Sequence, residues 1–278
     1  MDGLLLIDKP KGITSHDAVA AVRRALGTRK VGHAGTLDPM ATGLLLMGVG
    51  RVTRLLRFLG DLEKEYEGSA LLGVETDTLD ADGEVTRTAE VEVSEGRVRD
   101  AMAALTGDLE QRPPAYSAVK VGGRKLYEAA REGEELHAAP RPVRVDAFDL
   151  VRLDPPDLGF RVVCSSGTYV RVLLADVGAA LGCGAHLTRL VRTRIGPYRV
   201  SEAVAPDAAR EPLAIEEAVA HLPRVVLEPE EAIAARHGRP LGPAGVRGHF
   251  AAFDQAGALV GVYLDEGARA RPEVVIPG

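Results

Sequence analysis

Between Gly32 and Gly43 the chain reads Gly-His-Ala-Gly-Thr-Leu-Asp-Pro-Met-Ala-Thr-Gly. One carboxylate, Asp38, stands among small and glycyl residues, with His33 five residues before it. Three glycines in these twelve residues let a backbone turn tightly and approach a ligand closely. Taken alone, an acid in such a setting reads as a turn or cap residue. Chemistry would require partners, and two other stretches offer them. Ser165-Ser166-Gly167-Thr168-Tyr169-Val170-Arg171 reads as a Gly-Thr turn opening a helix, with Tyr169 and Arg171 in the first turn. Arginine is disfavoured at the positive end of a helix dipole, so this placement asks for a nearby anion. Lys64-Glu65-Tyr66 puts a tyrosine at the start of a strand, where packing is its ordinary use. The chain contains no H-E-x-x-H, no P-loop and no G-x-S-x-G pattern, which leaves metal, nucleotide and serine-hydrolase chemistry without support. Cys164 and Cys183 are its only cysteines and have no C-x-x-C spacing. They read as packing residues in a reducing, cytoplasmic setting, with neither a zinc site nor a disulfide framework.

The elements that must position these residues follow from periodicity. Gly3–Asp8 reads as a strand, followed by an Asp8-Lys9-Pro10-Lys11-Gly12 turn. Ser15 is expected to cap a helix whose apolar face is Ala18, Val19, Val22 and Leu26, ended by Gly27. Leu44–Val49 reads as a buried strand, Thr53–Leu59 as a helix and Tyr66–Val74 as a strand. Ser94 caps a helix carrying Val98, Ala101, Met102 and Leu105. Ser117–Val121, Gly122-Gly123 and Leu126–Glu132 read as strand, turn and helix. Val143–Leu153 and Gly159–Ser165 are strands, and a helix runs from Tyr169 to Leu181. Strands and helices interleave without a regular βαβ rhythm, which favours an α+β fold. From Pro223 a short helix, Pro229–Arg236, and the apolar pieces Phe250–Phe253 and Leu259–Leu264 suggest a small β-rich appendage. Two domains are expected, 1–222 and 223–278. No apolar run approaches twenty residues, so no membrane span is expected, nor does the N-terminus read as a signal peptide.

The formal charge of −6 conceals a pattern. Residues 1–60 carry 9 basic and 4 acidic side chains, and residues 112–200 carry 14 and 9. Residues 61–111 carry 4 basic and 15 acidic side chains, and residues 201–278 carry 7 and 12. Two basic segments can fold together into a basic face, and phosphate binding depends on such a local patch rather than on the sum.

Seven stretches together resemble the TruB-type tRNA pseudouridine synthases, of the bacterial stand-alone kind. They are Lys9–Ser15, Gly32–Gly43, Lys64–Tyr66, Thr76–Gly83, Arg112–Lys120, Ser166–Arg171 and Gly184–Leu190. The resemblance runs in order from about Gly3 to Arg199, and the tail from Pro223 is similar to a diverged PUA-type RNA-binding domain. It implies a central, mostly antiparallel sheet flanked by helices. It also implies conversion of a T-loop uridine of tRNA, at the position conventionally numbered 55, to pseudouridine, without cofactor or metal. By this resemblance Asp38 is the catalytic aspartate, attacking either C6 of the base or C1′ of the sugar, and Arg171 pairs with it bidentately. Tyr66 stacks on the target base and takes the C5 proton. Tyr169 is a second pocket tyrosine, Leu190 an apolar wall and Asp80 an acid near the pocket. His33 enters the T loop in place of the extruded base, whose flipping costs a few kcal/mol of stacking. Lys9, Lys11, Arg51, Arg54, Arg124 and Lys125 are the expected phosphate contacts, and 116–132 the mobile loop over the T arm. After Leu190 the family often has two basic residues where this chain has Val191-Arg192. The implied partner is the tRNA T stem-loop, bound by a cytoplasmic monomer. Two other readings share the fold: an RNA-folding module without the chemistry, and a guide-RNA-dependent relative. Intact Asp38, Tyr66, Tyr169 and Arg171 favour the enzyme.

Overall fold

Five consecutive apolar residues, Gly3–Ile7, are all buried, so the first strand needs cover on both faces. In the computed structural model, which describes residues 1–134 and 136–277, that strand is β1 (Gly3–Lys9). It is followed by α1 (Ser15–Leu26), β2 (Val31–Ala34), β3 (Thr42–Val49), α2 (Leu56–Gly60) and β4 (Lys64–Leu72). A small hairpin of β5 (Val74–Thr76) and β6 (Val85–Thr88) leads to α3 (Glu95–Ala104) and β7 (Gly107–Gln111). Next come β8 (Lys120–Val121), β9 (Arg124–Lys125), α4 (Leu126–Arg131), β10 (Arg141–Asp154), β11 (Asp157–Cys164), α5 (Val170–Leu181), β12 (Ala185–Ile195) and β13 (Tyr198–Arg199). The C-terminal part holds β14 (Arg224–Val226), α6 (Pro229–Arg236), β15 (Gly248–Phe253), β16 (Leu259–Asp265) and β17 (Ala270–Val275).

The main sheet runs β1-β3-β12-β4-β11-β10-β7, with β13 on β12 and β2 on β3. Its pairings are antiparallel except β3 with β12. This is the mostly antiparallel α+β sheet that the sequence implied. β12 follows β3 for only two positions, Val191 opposite Thr42 and Arg192 opposite Gly43. Further along the same edge of β3, β2 takes over from Leu46 to Val49. The segment joining β2 to β3, which carries Asp38, therefore lies at a fork in the sheet. At the β1 edge, Leu4 and Ile7 are bridged by Leu213 and Val204 of the chain that follows β13. That cover protects an otherwise open strand.

Four differences from the sequence reading have clear causes. Thr14, not Ser15, caps α1, in a reciprocal capping box with Asp17. Gly50–Arg54 forms a 3-10 turn before α2, where one helix was expected over Thr53–Leu59. β12 was not anticipated, because Arg189, Arg192 and Arg194 break an apolar alternation. The C-terminal sheet β14-β15-β16-β17 gains two strands, β14 and β17, beyond the two apolar pieces. This sheet does not stand apart. Phe253, Leu259, Val262, Val274 and Ile276 share one core with Leu4, Leu6 and Phe58. Cys164 and Cys183 are both buried and free. Among the described residues, no helix is long and apolar enough to cross a membrane.

Candidate active site

The segment from Gly35 to Ala41 is irregular, yet most of its residues are held by backbone hydrogen bonds. The Ser15 hydroxyl accepts from Leu37 N (2.9 Å) and lies 3.2 Å from Leu37 O, to which it donates. Arg192 donates to Gly35 O (3.0 Å) and Thr36 O (3.5 Å), and its Nε to Leu44 O (2.7 Å). Pro39 O accepts from Gly12 N (2.8 Å) and from Lys9 Nζ (3.4 Å). Gly43, at φ +99, lies against the Arg192 backbone so closely that a Cβ would collide with it. Asp38 is thus presented on a loop whose position is fixed from β1, α1 and β12. Its own side chain is 43% exposed and stands at the mouth of a cavity of about 370 Å³.

The cavity joins residues far apart in sequence. Asp38, Tyr66 on β4, Tyr169 and Arg171 at the start of α5, and Leu190 on β12 all line it. Tyr66 lies opposite Arg192 and Val162 in the sheet. It is buried, and burial pushes its phenol pKa up, with the neighbouring Arg192 charge acting in the opposite direction. Arg171 is 5% exposed. It donates to Tyr116 O (2.6 Å) and Thr78 O (3.1 Å), and to Asp80 Oδ2 at 3.4 Å, while Asp38 Oδ2 is 3.6 Å away. The expected bidentate pair with Asp38 is therefore absent. The guanidinium is divided among four partners, and its hydrogen bonds go to the other three. Asp38 keeps a counter-charge without being tied down. The turn that presents Thr78 and Asp80 contains Leu79 at φ +64, the one non-glycine with positive φ among the described residues. A strained turn of this kind persists where its surroundings hold it. Here Thr76 and Thr78 bond to Asp80, and Leu187 N to Leu79 O.

His33 is half-buried on β2, does not line the cavity, and meets His16 edge-on with ring centroids 5.6 Å apart. Burial, and then the charges of His16 and Arg192, hold its pKa below the usual histidine value. Its Nδ1 is buried and has no partner among the described residues.

The expected phosphate contacts divide. Lys9 is not one of them. It is fully buried, and its Nζ donates to Ile13 O (2.8 Å), Pro10 O (3.1 Å) and Pro39 O. Arg51 pairs with Asp2 and donates to Pro277 O, and Arg54 donates to Val275 O, so both tie the C-terminal strand to the main sheet. Arg124 holds Glu132 and Glu134, and Lys125 holds Glu128 and Tyr127. These exposed pairs are weak enough to be exchanged for phosphates. Lys11 is exposed.

Lys9 leaves a signature in stability. Burial lowers its pKa from 10.5 to about 8. The folded protein therefore disfavours the charged form, and that penalty is complete below pH 8 and relieved as the pH rises toward 10.5. A shift of this size corresponds to on the order of 3 kcal/mol. Relative to Lys9→Met, the wild type should gain stability between pH 8 and 10, as read by urea unfolding at a series of pH values. Parallel curves for the two proteins would show that Lys9 does not titrate there.

Sequence reasoning gave no site role to Arg192, Lys64 or Ser15. Arg192 is 1% exposed and Lys64 5%. Lys64 donates to Gly60 O and Leu62 O, and burial brings its pKa down to about 8. The available signal was weak: a basic residue beside Tyr66 and another two places after Leu190 in stretches otherwise rich in buried residues.

Comparison with known proteins identifies the family. The profile of the TruB family pseudouridylate synthase N-terminal domain matches residues 23–170. The chain belongs to the TruB family. Two C-terminal profiles follow: the tRNA pseudouridylate synthase B C-terminal domain over residues 171–234, and tRNA pseudouridine synthase II, C terminal, over residues 222–277. Relatives named tRNA pseudouridine synthase B include one from Mycobacterium sp. (strain KMS), 46% identical, covering 99% of this chain and 96% of the relative. Another, from Leifsonia xyli subsp. xyli, is 48% identical with the same coverage. Among solved structures, a Cbf5-Nop10-Gar1 complex contains a chain 28% identical with a TM-score of 0.76, covering 99% of this chain and 85% of that one. An H/ACA RNP bound to a substrate RNA containing 2′-deoxyuridine gives 26% identity and a TM-score of 0.75 over the same shares. The TruB fold thus accounts for the sheet, and Asp38 lies within the matched N-terminal domain.

Proposed function

We propose that this chain isomerises the T-loop uridine of tRNA, at the position conventionally numbered 55, to pseudouridine, with the tRNA T stem-loop as its partner and no cofactor. The observation that carries this reading is the half-exposed Asp38 carboxylate at the cavity mouth, 3.6 Å from buried Arg171. The higher identity to tRNA pseudouridine synthases B than to the H/ACA proteins favours tRNA over a guide-dependent substrate.

The reaction breaks the bond from N1 to C1′ and forms one from C5 to C1′. A proton leaves C5 and one is gained at N1, so atoms and electrons balance without an oxidant or reductant. An ionised Asp38 serves either route, adding to C6 or to C1′ and leaving again, and Arg171 sits where it can balance the charge. Tyr66, Tyr169 and Leu190 form walls on which a flipped base can stack, returning about 1–3 kcal/mol per stacked base. Burial keeps Tyr66 a neutral phenol at neutral pH, which suits stacking and works against its acting as the base that takes the C5 proton. His33, outside the cavity, enters the space that the base vacates in this reading. The segment 116–132 orders over the T arm, and the C-terminal sheet extends the RNA contact. The enzyme acts as a cytoplasmic monomer.

The test is incubation with an unmodified tRNA transcript carrying tritium at uridine C5. Release of tritium should reach one equivalent of tRNA and vanish when the T-loop uridine is replaced by cytidine. Release from the cytidine transcript, or none from the native one, would overturn the assignment.

A further inference from the structure

The cavity holds one cation that neither the catalytic scheme nor a set of buried carbonyls accounts for. Arg141 opens β10 and lines the cavity together with Lys64, Arg171 and Arg192. The other three are committed. Arg171 faces Asp38 and Asp80, Arg192 is occupied by the carbonyls of Gly35 and Leu44, and Lys64 by those of Gly60 and Leu62. Among the described residues, Arg141 bonds only to Gly167 O, and its Nε is buried without a partner.

The guanidinium is nevertheless held in place. Its Cζ lies 5.0 Å from the centroid of the Tyr169 ring, and Arg171 Cζ lies 5.7 Å from the same centroid. Tyr169 is fixed by Gln111, whose side chain accepts from Tyr169 N (2.7 Å) and donates to Tyr169 O (3.1 Å). Gln111 in turn stands opposite Arg141 in the β7–β10 ladder. Among the described residues, two further buried polar atoms on residues lining the cavity lack partners: Arg171 Nε and Ser117 Oγ, each on a residue 4% exposed. Leaving such groups unpaired is costly. The cavity these residues surround is lined by four cations and, among the described residues, a single acid, Asp38. The start of α5 adds the positive end of a helix dipole to the same wall. An anion with several acceptor oxygens complements this excess of positive charge, and arginine binds phosphate through two parallel hydrogen bonds.

We propose that Arg141 binds a backbone phosphate flanking the extruded uridine, so that the cavity recognises a nucleotide within a strand and not a uracil base alone. This deepens the tRNA reading and rests on it. The experiment uses a synthetic T-arm stem-loop with tritium at C5 of the target uridine. In two further versions the phosphate on its 5′ or its 3′ side is replaced by a neutral methylphosphonate. With the wild type, one of the two replacements should raise KM roughly tenfold, the scale of a charge-assisted hydrogen bond, and leave kcat within about twofold. Arg141→Met should raise KM by the same factor on the native stem-loop and be indifferent to that replacement, with a flatter dependence of KM on salt. Arg141→Lys should recover part of the loss. If neither methylphosphonate raises KM for the wild type, or if one raises it equally for wild type and Arg141→Met, Arg141 does not meet a flanking phosphate. Absence of turnover on the native stem-loop by the wild type would instead overturn the reaction assignment itself.

Discussion

Asp38→Asn should reduce turnover at least about 10³-fold, the scale seen when a nucleophile is removed, while leaving tRNA affinity within about threefold of the wild type. The two side chains have the same shape, and the substitution removes only the negative charge and the capacity to bond covalently. The loop has little reason to move. Leu37 is held by Ser15, Gly35 and Thr36 by Arg192, and Pro39 by Gly12 and Lys9, all through backbone atoms that the substitution does not touch. Asp38 makes no close hydrogen bond to Arg171 whose loss would loosen the fold, since the two side chains approach only to 3.6 Å. At 43% exposure the change should alter stability by no more than about 0.5 kcal/mol. Binding rests on phosphate and stacking contacts elsewhere and should persist. Single-turnover tritium release and filter binding on the same preparation separate the two effects. Residual turnover above about a hundredth of the wild-type rate would show that some other group carries the reaction.

How far the sequence disclosed this site depends on where each residue's partners lie. The Gly32–Gly43 stretch taken alone read as a turn, and only its resemblance to the TruB-type enzymes singled out Asp38. Arg171 was legible because an arginine at a helix start is an anomaly that asks for an anion. The α+β sheet followed from strands and helices that alternate without a βαβ rhythm. Lys9 was misread for the opposite reason. A lysine in a Pro-Lys-Gly turn looks solvated, and only the fold brings Pro39 O to its amine from 30 residues away. Arg192 hides in the same manner. Its hydrogen bonds to the Gly35 and Leu44 carbonyls span about 150 residues of chain, so nothing local marked a buried cation. Arg51 and Arg54 meet carbonyls more than 220 residues away, and the sequence gives no sign that they are occupied. A boundary near residue 222 was expected from the short, Gly- and Pro-punctuated apolar pieces that follow it. That one apolar core crosses it was not, because Leu4 and Val274 sit at opposite ends of the chain.

Arg171→Met should be as damaging to catalysis as the loss of Asp38, and unlike that substitution it should also weaken the fold. The guanidinium joins four segments: the Asp38 loop, the strained turn at Thr78–Asp80, the chain at Tyr116 and helix α5 itself. Removing it leaves the Asp80 carboxylate, 7% exposed, with no cation, and breaking one partner of a buried pair costs about 3–5 kcal/mol. Loss on that scale lowers the melting temperature by roughly 5–10 °C in a protein of this size. Turnover should fall about 10³-fold even well below that temperature, because Asp38 then faces the substrate without a counter-charge. Arg171→Met combined with Asp80→Asn distinguishes the two consequences. The second substitution removes the stranded charge, and its amide can still accept from Thr78 and from Asp82 N. The double variant should therefore recover most of the melting temperature and none of the turnover. Recovery of both would mean that Arg171 serves the fold alone, with Asp38 needing no partner. Recovery of neither would place the cost in the lost bonds to Thr78 O and Tyr116 O, which no change at Asp80 can replace.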